Sequence, residues 1–452
     1  MSNVGNAELL QTSRDAVKKS NAYKRVNRLF DEDTFNEIDS FSKSGDHFAE
    51  VITGFGTVDG CPAYVFAQNA EIDGGAMSKA QASKIKKIVN LAVKTGTPVI
   101  GIYDSIGARL KEGADMLAAY GEILLSSNNL SGVVPQISLI LGPCIGTSAM
   151  IAANADIVVM SDKSEFTIET SGSNGSADAA AKLGVCHIAA ENEECAIAEV
   201  RRLITVLPSN NLAGAPITNL SAMNNAAPLT ADSTARDILS AIADDDTFIE
   251  LGNQFGTSAI TGLAQMVGST VGIVSYNGSL DADSCSKAAR FIRFCDAFSL
   301  PVVTLADATE FTSLREASKL SNAYSEATTA KVTVITGSAY GSVYIAIAGR
   351  GANADITLAW PNAVVSPLSP ATAAVFEWSD RLTGSSDPVA DRQKLIEEYK
   401  QTETSPFIAA ASGFIEDIIY PEETRAKIIA NLDMLSGKRV TTLPKKHANI
   451  QL

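Results

Sequence analysis

Gln136-Ile137-Ser138-Leu139-Ile140-Leu141-Gly142-Pro143-Cys144-Ile145-Gly146 and Lys331-Val332-Thr333-Val334-Ile335-Thr336-Gly337-Ser338-Ala339-Tyr340-Gly341 follow one plan: an apolar, strand-like run passes through glycine toward a helix. Each then reaches the same tetrapeptide, Asn154-Ala155-Asp156-Ile157 and Asn353-Ala354-Asp355-Ile356. Ahead of them stand Ala119-Tyr120-Gly121-Glu122 and Ala323-Tyr324-Ser325-Glu326, read as helices, and before those two proline-led strands, Pro98 to Asp104 and Pro301 to Asp307. Further upstream, Ile85, Ile88, Val89 and Ala92 match Ala288, Phe291, Ile292 and Cys295 at i, i+3, i+4 and i+7, the spacing of one buried helix face. Ile52-Thr53-Gly54 through Ala63-Tyr64-Val65-Phe66 and Ile260-Thr261-Gly262 through Val271-Gly272-Ile273-Val274 open the two series as strand hairpins. So many matches in one order imply an internal duplication. Strand alternating with helix implies an α/β fold with a largely parallel sheet in each half.

The least patterned stretch, Ser209 to Asp232, is rich in Asn, Ala, Pro and Thr and reads as the linker. The expected organisation is an N-terminal helical arm (1–22), a first domain (23–220) and a second domain (221–452). Ser171-Gly172-Ser173-Asn174-Gly175-Ser176 reads as a polar loop.

Composition narrows the function classes. Lys and Arg total 36 against 51 Asp and Glu, a net charge of −15, so the molecule as a whole repels polyanions and nucleic acid is not an expected partner. The six cysteines have neither metal-ligand spacing nor the density of a disulfide scaffold. Met1 to Leu10 carries no basic-then-apolar pattern, and charge interrupts every apolar run, so a cytoplasmic location without membrane insertion is expected. No metal is expected. The three histidines, His47, His187 and His447, sit in no nucleophile motif, and no Walker or dinucleotide glycine loop is present.

A strand that exits through glycine into a helix leaves the first helical N–H groups unpaired. Gly146-Thr147 and Gly341-Ser342-Val343 hold this position in the two halves and are the candidate catalytic residues, as backbone donors for two carbonyl oxygens. Gly74, Gly75, Ala76, Arg109 and Tyr340 are the candidate cofactor contacts. Arg109 follows a strand end, Asp104-Ser105-Ile106-Gly107-Ala108, where open α/β sheets place ligands. Lys79, Lys84, Lys86, Lys87 and Lys111 lie nearby, with Lys84 and Lys87 read as the solvated face of a helix.

Gly54-Phe55-Gly56-Thr57-Val58-Asp59-Gly60, Phe66-Ala67-Gln68, Asp104 through Gly113, Gly142-Pro143-Cys144, Phe291 through Phe298, Lys331 through Thr336 and Leu358-Ala359-Trp360-Pro361 together resemble the carboxyltransferase β subunits of propionyl-CoA and acetyl-CoA carboxylases. Lys438-Arg439-Val440 and Pro444 through Ile450 are similar to the tail of that family. The resemblance implies two tandem crotonase-like domains. It implies that the N-terminal half holds an acyl-CoA and the C-terminal half of a partner subunit holds biotin, in a hexamer built as a trimer of dimers. Gly146-Thr147 is then expected at the thioester oxygen and Gly341-Ser342-Val343 at the biotin ureido oxygen. The chain departs from the family pattern at Thr147, where the family has a second glycine, at Ser342-Val343, at Pro367 through Ala371, and in shortened loops after Ile168 and Asp307.

No Ala-Met-Lys-Met biotin-attachment sequence and no ATP-binding domain is present. The resemblance therefore implies a separate biotin carboxyl carrier protein and either a biotin carboxylase subunit or a membrane decarboxylase pump subunit. Three roles stay open at this point: carboxylation of acetyl-CoA or propionyl-CoA, the reverse half-reaction in a sodium-pumping methylmalonyl-CoA, malonyl-CoA or glutaconyl-CoA decarboxylase, and a catalytically weak scaffold subunit.

Overall fold

The first hairpin turns at Asp59-Gly60 and the second at Val267-Gly268, and all four residues have positive φ. That is the two-residue turn whose twist suits a β-hairpin. Asp31 secures the first by accepting the Asp59 and Gly60 N–H groups at 2.9 and 3.0 Å, and Asp244 secures the second by accepting those of Val267 and Gly268 at 3.0 and 2.8 Å. Each carboxylate is in turn held by an arginine, Arg201 at 2.9 Å and Arg425 at 2.5 Å. The same arginines donate to the carbonyls of Leu29 and Ile242. Val267 is β-branched in the left-handed region, a conformation that Asp244 must hold against its intrinsic cost.

The computed structural model describes residues 3–44, 47–168, 174–218, 224, 226–382, 387–440 and 443–449, so residues 171–173 of the expected polar loop and 219–223 and 225 of the expected linker lie outside the described residues. The chain divides into two compact units, Met1–Pro216 and Ile217–Leu452.

In the first unit, helices α1 (Asn3–Lys19) and α2 (Asn21–Leu29) precede β1 (Asn36–Ile38), β2 (Val51–Val58), β3 (Cys61–Gln68), α3 (Lys79–Thr95), β4 (Val99–Ser105), α4 (Asp115–Leu130), β5 (Gln136–Ile145), α5 (Thr147–Ala153), β6 (Ile157–Ser161), β7 (Glu165–Thr167), α6 (Ala177–Lys182), β8 (Ile188–Ala190) and α7 (Glu193–Val206). The sheet is eight-stranded, ordered β1-β2-β3-β4-β5-β6-β8 with β7 beside β5. It is antiparallel at the hairpin edge and parallel from β3 onward.

The second unit repeats this plan with α8 (Ala235–Ile242), β9 (Ile249–Glu250), β10 (Ala259–Met266), β11 (Ser269–Leu280), α9 (Ala282–Ala297), β12 (Val302–Phe311), α10 (Leu314–Glu326), β13 (Lys331–Tyr340), β14 (Ile356–Ala359), β15 (Val364–Ser366), α11 (Pro370–Glu377), α12 (Pro388–Glu403), α13 (Pro406–Ala411), β16 (Asp417–Ile418) and α14 (Thr424–Leu435). Its eight strands run β9-β10-β11-β12-β13-β14-β16, with β15 beside β13. The fold is thus α/β with two similar mixed sheets, and the residues expected on the buried faces of α3 and α9 are buried.

The repeated tetrapeptide also acquires a reason. Asp156 and Asp355 accept the N–H of the first residue of the neighbouring strand, Gln136 and Lys331, each at 2.8 Å. β5 and β13 carry on through Gly142 and Gly337, past a register shift, and pair with β7 and β15. One expectation needs correction. In the second unit the segment after Gly341 is not an α-helix but a π-helix, Tyr344–Ala348, followed by a short 3₁₀ turn.

Candidate functional site

Both candidate turns are built by the late parts of β5 and β13. Gly146 has φ 70° and Gly341 φ 57°, a left-handed backbone that glycine adopts without strain. Their own N–H groups are spent on the sheet, Gly146 donating to the Thr167 carbonyl and Gly341 to that of Ser366, each at 2.9 Å. This corrects their expected role: as N–H donors they are committed, and what they supply is the turn. The helices then begin with bonds back to the same glycines, Ala149 N–H to the Gly146 carbonyl at 3.0 Å and Ile345 N–H to that of Gly341 at 3.2 Å. Between these bonds stand the N–H groups of Thr147 and Ser148 in one half and of Ser342, Val343 and Tyr344 in the other. None of these meets a backbone acceptor among the described residues. In the first half the N–H groups left without a backbone acceptor are thus those of Thr147 and Ser148, one residue along from the expected Gly146-Thr147.

Close packing fixes the strands beneath these turns. A Cβ on Gly142 would lie 2.1 Å from Asp104 Oδ1, and one on Gly337 2.2 Å from Asp307 Oδ1. Each half thus seats an aspartate of the preceding strand over a glycine. The two carboxylates are held differently: Asp104 by Arg25 of α2 at 2.5 Å, and Asp307 by the Ser338 N–H at 2.7 Å. Equivalent tyrosines reach different hydroxyls below the turns. Tyr120 pairs with Ser148 at 3.1 Å, and Tyr324 with Tyr276 at 3.1 Å and Thr304 at 2.9 Å. Burial pushes the Tyr120 and Tyr324 phenols above their ordinary range, so both remain neutral hydrogen-bonding groups. His187 Nδ1 accepts the Val158 N–H at 2.9 Å, a bond that ties β8 to β6.

The expected cofactor contacts divide into two groups. Gly74, Gly75 and Ala76 lie in a tight turn laced to the strand end that carries Arg109. Ile106 N–H donates to Gly74, Met77 N–H to Gly107 and Arg109 N–H to Met77, and a Cβ on Gly75 would sit 2.0 Å from the Asp104 carbonyl oxygen. Arg109 itself is surrounded by carboxylates: Glu50 at 2.6 Å, Asp73 at 3.1 Å and Glu112 at 3.4 Å. Its guanidinium clasps this turn, and these three carboxylates meet its charge, which weighs against its expected role as a phosphate contact. Glu50 explains the miss, being remote in sequence and only 5% exposed. Tyr340 ends β13, immediately before the second donor turn, and bonds to the Thr309 side chain.

The lysines are similarly committed. Lys84 corrects the expectation of a solvated face: it is 4% exposed and donates to the Val51 carbonyl at 2.7 Å, and burial lowers its pKa. Lys79, Lys86 and Lys87 pair with Asp115, Glu122 and Asp39 at the surface. Lys111, exposed beside Arg109, has no carboxylate partner among the described residues.

The arrangement can therefore receive two anionic or polarised oxygens on backbone donors without using an acid or base side chain. The carboxyl transferase domain family matches residues 16–450. Methylmalonyl-CoA decarboxylase subunit alpha of Veillonella parvula is 36% identical over 99% of this chain and 96% of its own length. The carboxyltransferase subunit of propionyl-CoA carboxylase from Haloferax mediterranei is 35% identical over 96% and 94%. Among solved structures, transcarboxylase 12S with methylmalonyl-coenzyme A and methylmalonic acid bound, described as a hexamer, superposes with a TM-score of 0.92 at 32% identity, covering 100% of this chain and 99% of that one.

Proposed function

Because the chain belongs to the carboxyl transferase domain family and is an acyl-CoA carboxyltransferase subunit of a carboxylase or decarboxylase, we propose a division of labour between its crotonase-like halves. The first half holds the thioester oxygen of a short acyl-CoA, acetyl-CoA or propionyl-CoA in one direction and its carboxylated product in the other. Thr147 and Ser148 N–H stabilise the charge that gathers on that oxygen when the α-carbon becomes an enolate. The second half receives biotin carried by a separate protein, with Ser342 and Val343 N–H meeting its ureido oxygen. Biotin supplies the transferable carboxyl group and, once that has left, the site that takes the α-proton. This division agrees with a chain whose His187 is spent on a structural bond and whose buried tyrosines stay neutral.

The observation that carries the reading is the duplicated turn: a glycine with positive φ whose own N–H is spent, followed by N–H groups with no backbone acceptor among the described residues, at the same place in both halves. Each such donor is worth about 2.7–4 kcal/mol to a developing oxyanion. The reading extends to a hexamer, by analogy with the assembly described for transcarboxylase 12S, and to a carrier protein with a carboxylase or pump subunit as partners. A cytoplasmic site of action fits six cysteines that are all free thiols. Among the described residues no helix is long and apolar enough to cross a membrane.

The test mixes the purified chain with free biotin or a biotinylated carrier and carboxyl-labelled methylmalonyl-CoA or malonyl-CoA. Label arriving on biotin supports the assignment and identifies the acyl group. Acyl-CoA binding without transfer to any biotin species would replace it with a scaffold role.

A further inference from the structure

The π-helix Tyr344–Ala348 has no counterpart in the first half, where α5 is an ordinary α-helix. π segments are rare and concentrate at functional sites, so what holds this one in register matters. Here the Tyr344 hydroxyl donates to the Phe414 carbonyl at 2.5 Å. That carbonyl lies in a segment fixed at both ends: Phe414 N–H bonds back to Ala409, and Glu416 takes the Thr357 N–H at 2.7 Å while giving its own N–H to Thr357 at 2.9 Å. At the other end of the π turn, Gly349 N–H returns to the Tyr344 carbonyl at 2.8 Å, and a Cβ on Gly349 would lie 2.5 Å from the Tyr344 ring. The phenol is thus pinned at its hydroxyl and against its ring. Counting from the shared glycine, the first half has Ala149 at this position, which has no group able to make such a tie.

We propose that Tyr344 is a positioning residue: its bond to Phe414 keeps the segment in the π register and so sets the direction of the Ser342 and Val343 N–H groups. Ser342 and Val343 stand immediately before this turn, so a change in its register reaches their N–H groups through the backbone. The proposal rests on the assignment of this donor pair to the biotin ureido oxygen.

Two variants separate the two claims. Tyr344→Phe removes only the hydroxyl. Val343→Pro removes one donor at a residue whose φ of −64° suits proline; because Val343 is fully buried, the variant's urea midpoint is measured in parallel. Carboxyl transfer from methylmalonyl-CoA to free biotin is measured with each substrate varied in turn. Tyr344→Phe should lower kcat/KM for biotin about tenfold while leaving KM for methylmalonyl-CoA unchanged. If Val343→Pro lowers kcat/KM for biotin but Tyr344→Phe does not, the donor pair stands and the positioning role falls. If neither variant changes it, the assignment of the pair falls as well. An equal loss toward both substrates means general damage and also overturns the proposal. Amide hydrogen exchange reads the tie without turnover: amides 345–349 should exchange about tenfold faster in Tyr344→Phe, and unchanged protection refutes it.

Discussion

Replacing Thr147 by proline removes a single N–H from the first donor pair. Thr147 is the first residue of α5, and its N–H meets no backbone acceptor among the described residues, so the substitution breaks no helix bond. Proline is favoured at that position because its ring presets the helical φ. The Thr147 side chain is exposed, so loss of its hydroxyl can be controlled with Thr147→Ala, which keeps the N–H. The helix should therefore be nearly unaffected, and the whole effect should appear in the reaction. One donor to a developing oxyanion is worth about 2.7–4 kcal/mol, or about 10²–10³ in kcat. Transfer of the carboxyl label from methylmalonyl-CoA to biotin, with urea midpoints measured in parallel, gives both quantities. Thr147→Pro should unfold with Thr147→Ala yet turn over two to three orders of magnitude more slowly. If the two variants turn over equally fast, the oxyanion is not held at Thr147.

Other consequences concern the frame. Asp244→Asn leaves Arg425 without its carboxylate and weakens the hold on the Val267-Gly268 turn; it should cost about 3–5 kcal/mol in urea unfolding, and a loss below about 1 kcal/mol would remove the pair from the account. Gly142→Ala drives a Cβ into Asp104 and off its contact with Arg25, with an expected loss of about 1–3 kcal/mol; unchanged stability would mean that β5 can shift to make room. Burial pushes the Cys186 and Cys285 thiols up to about 12, against about 8.5 in an unfolded chain. Both stay protonated in the fold while the unfolded chain ionises, so their contribution is fully present below pH of about 8.5 and is lost as pH rises toward 12. The urea midpoint should thus fall less steeply with alkaline pH in a Cys186→Ala, Cys285→Ala double variant, and parallel slopes would contradict the shifts.

Much of this fold is written locally. Ile85, Ile88, Val89 and Ala92 mark a buried helix face by spacing alone, and the paired tetrapeptides Asn154-Ala155-Asp156-Ile157 and Asn353-Ala354-Asp355-Ile356 mark the same joint twice. The joints made by distant residues leave no such trace. Asp31 meets Arg201 across 170 residues, and Asp244 meets Arg425 across 181. Arg109 reads as a ligand residue because it follows a strand end, and only folding brings Glu50 to it. Lys84 reads as solvated because lysine usually is; its aliphatic stem instead enters the core and its ammonium finds a backbone carbonyl. The donor turns were visible as glycines, but which N–H is free depends on β7 and β15, whose pairing consumes the N–H groups of Gly146 and Gly341.

The central claim, that the thioester oxygen of an acyl-CoA rests on the N–H groups after Gly146, is tested most directly by the nuclear magnetic resonance signal of propionyl-CoA labelled at its thioester carbonyl carbon. Bound to the unaltered chain, the signal should move downfield as the oxygen accepts hydrogen bonds. The displacement should shrink in Thr147→Pro and persist in Val343→Pro. A signal that does not move on binding, or that moves equally in all three proteins, would contradict the account.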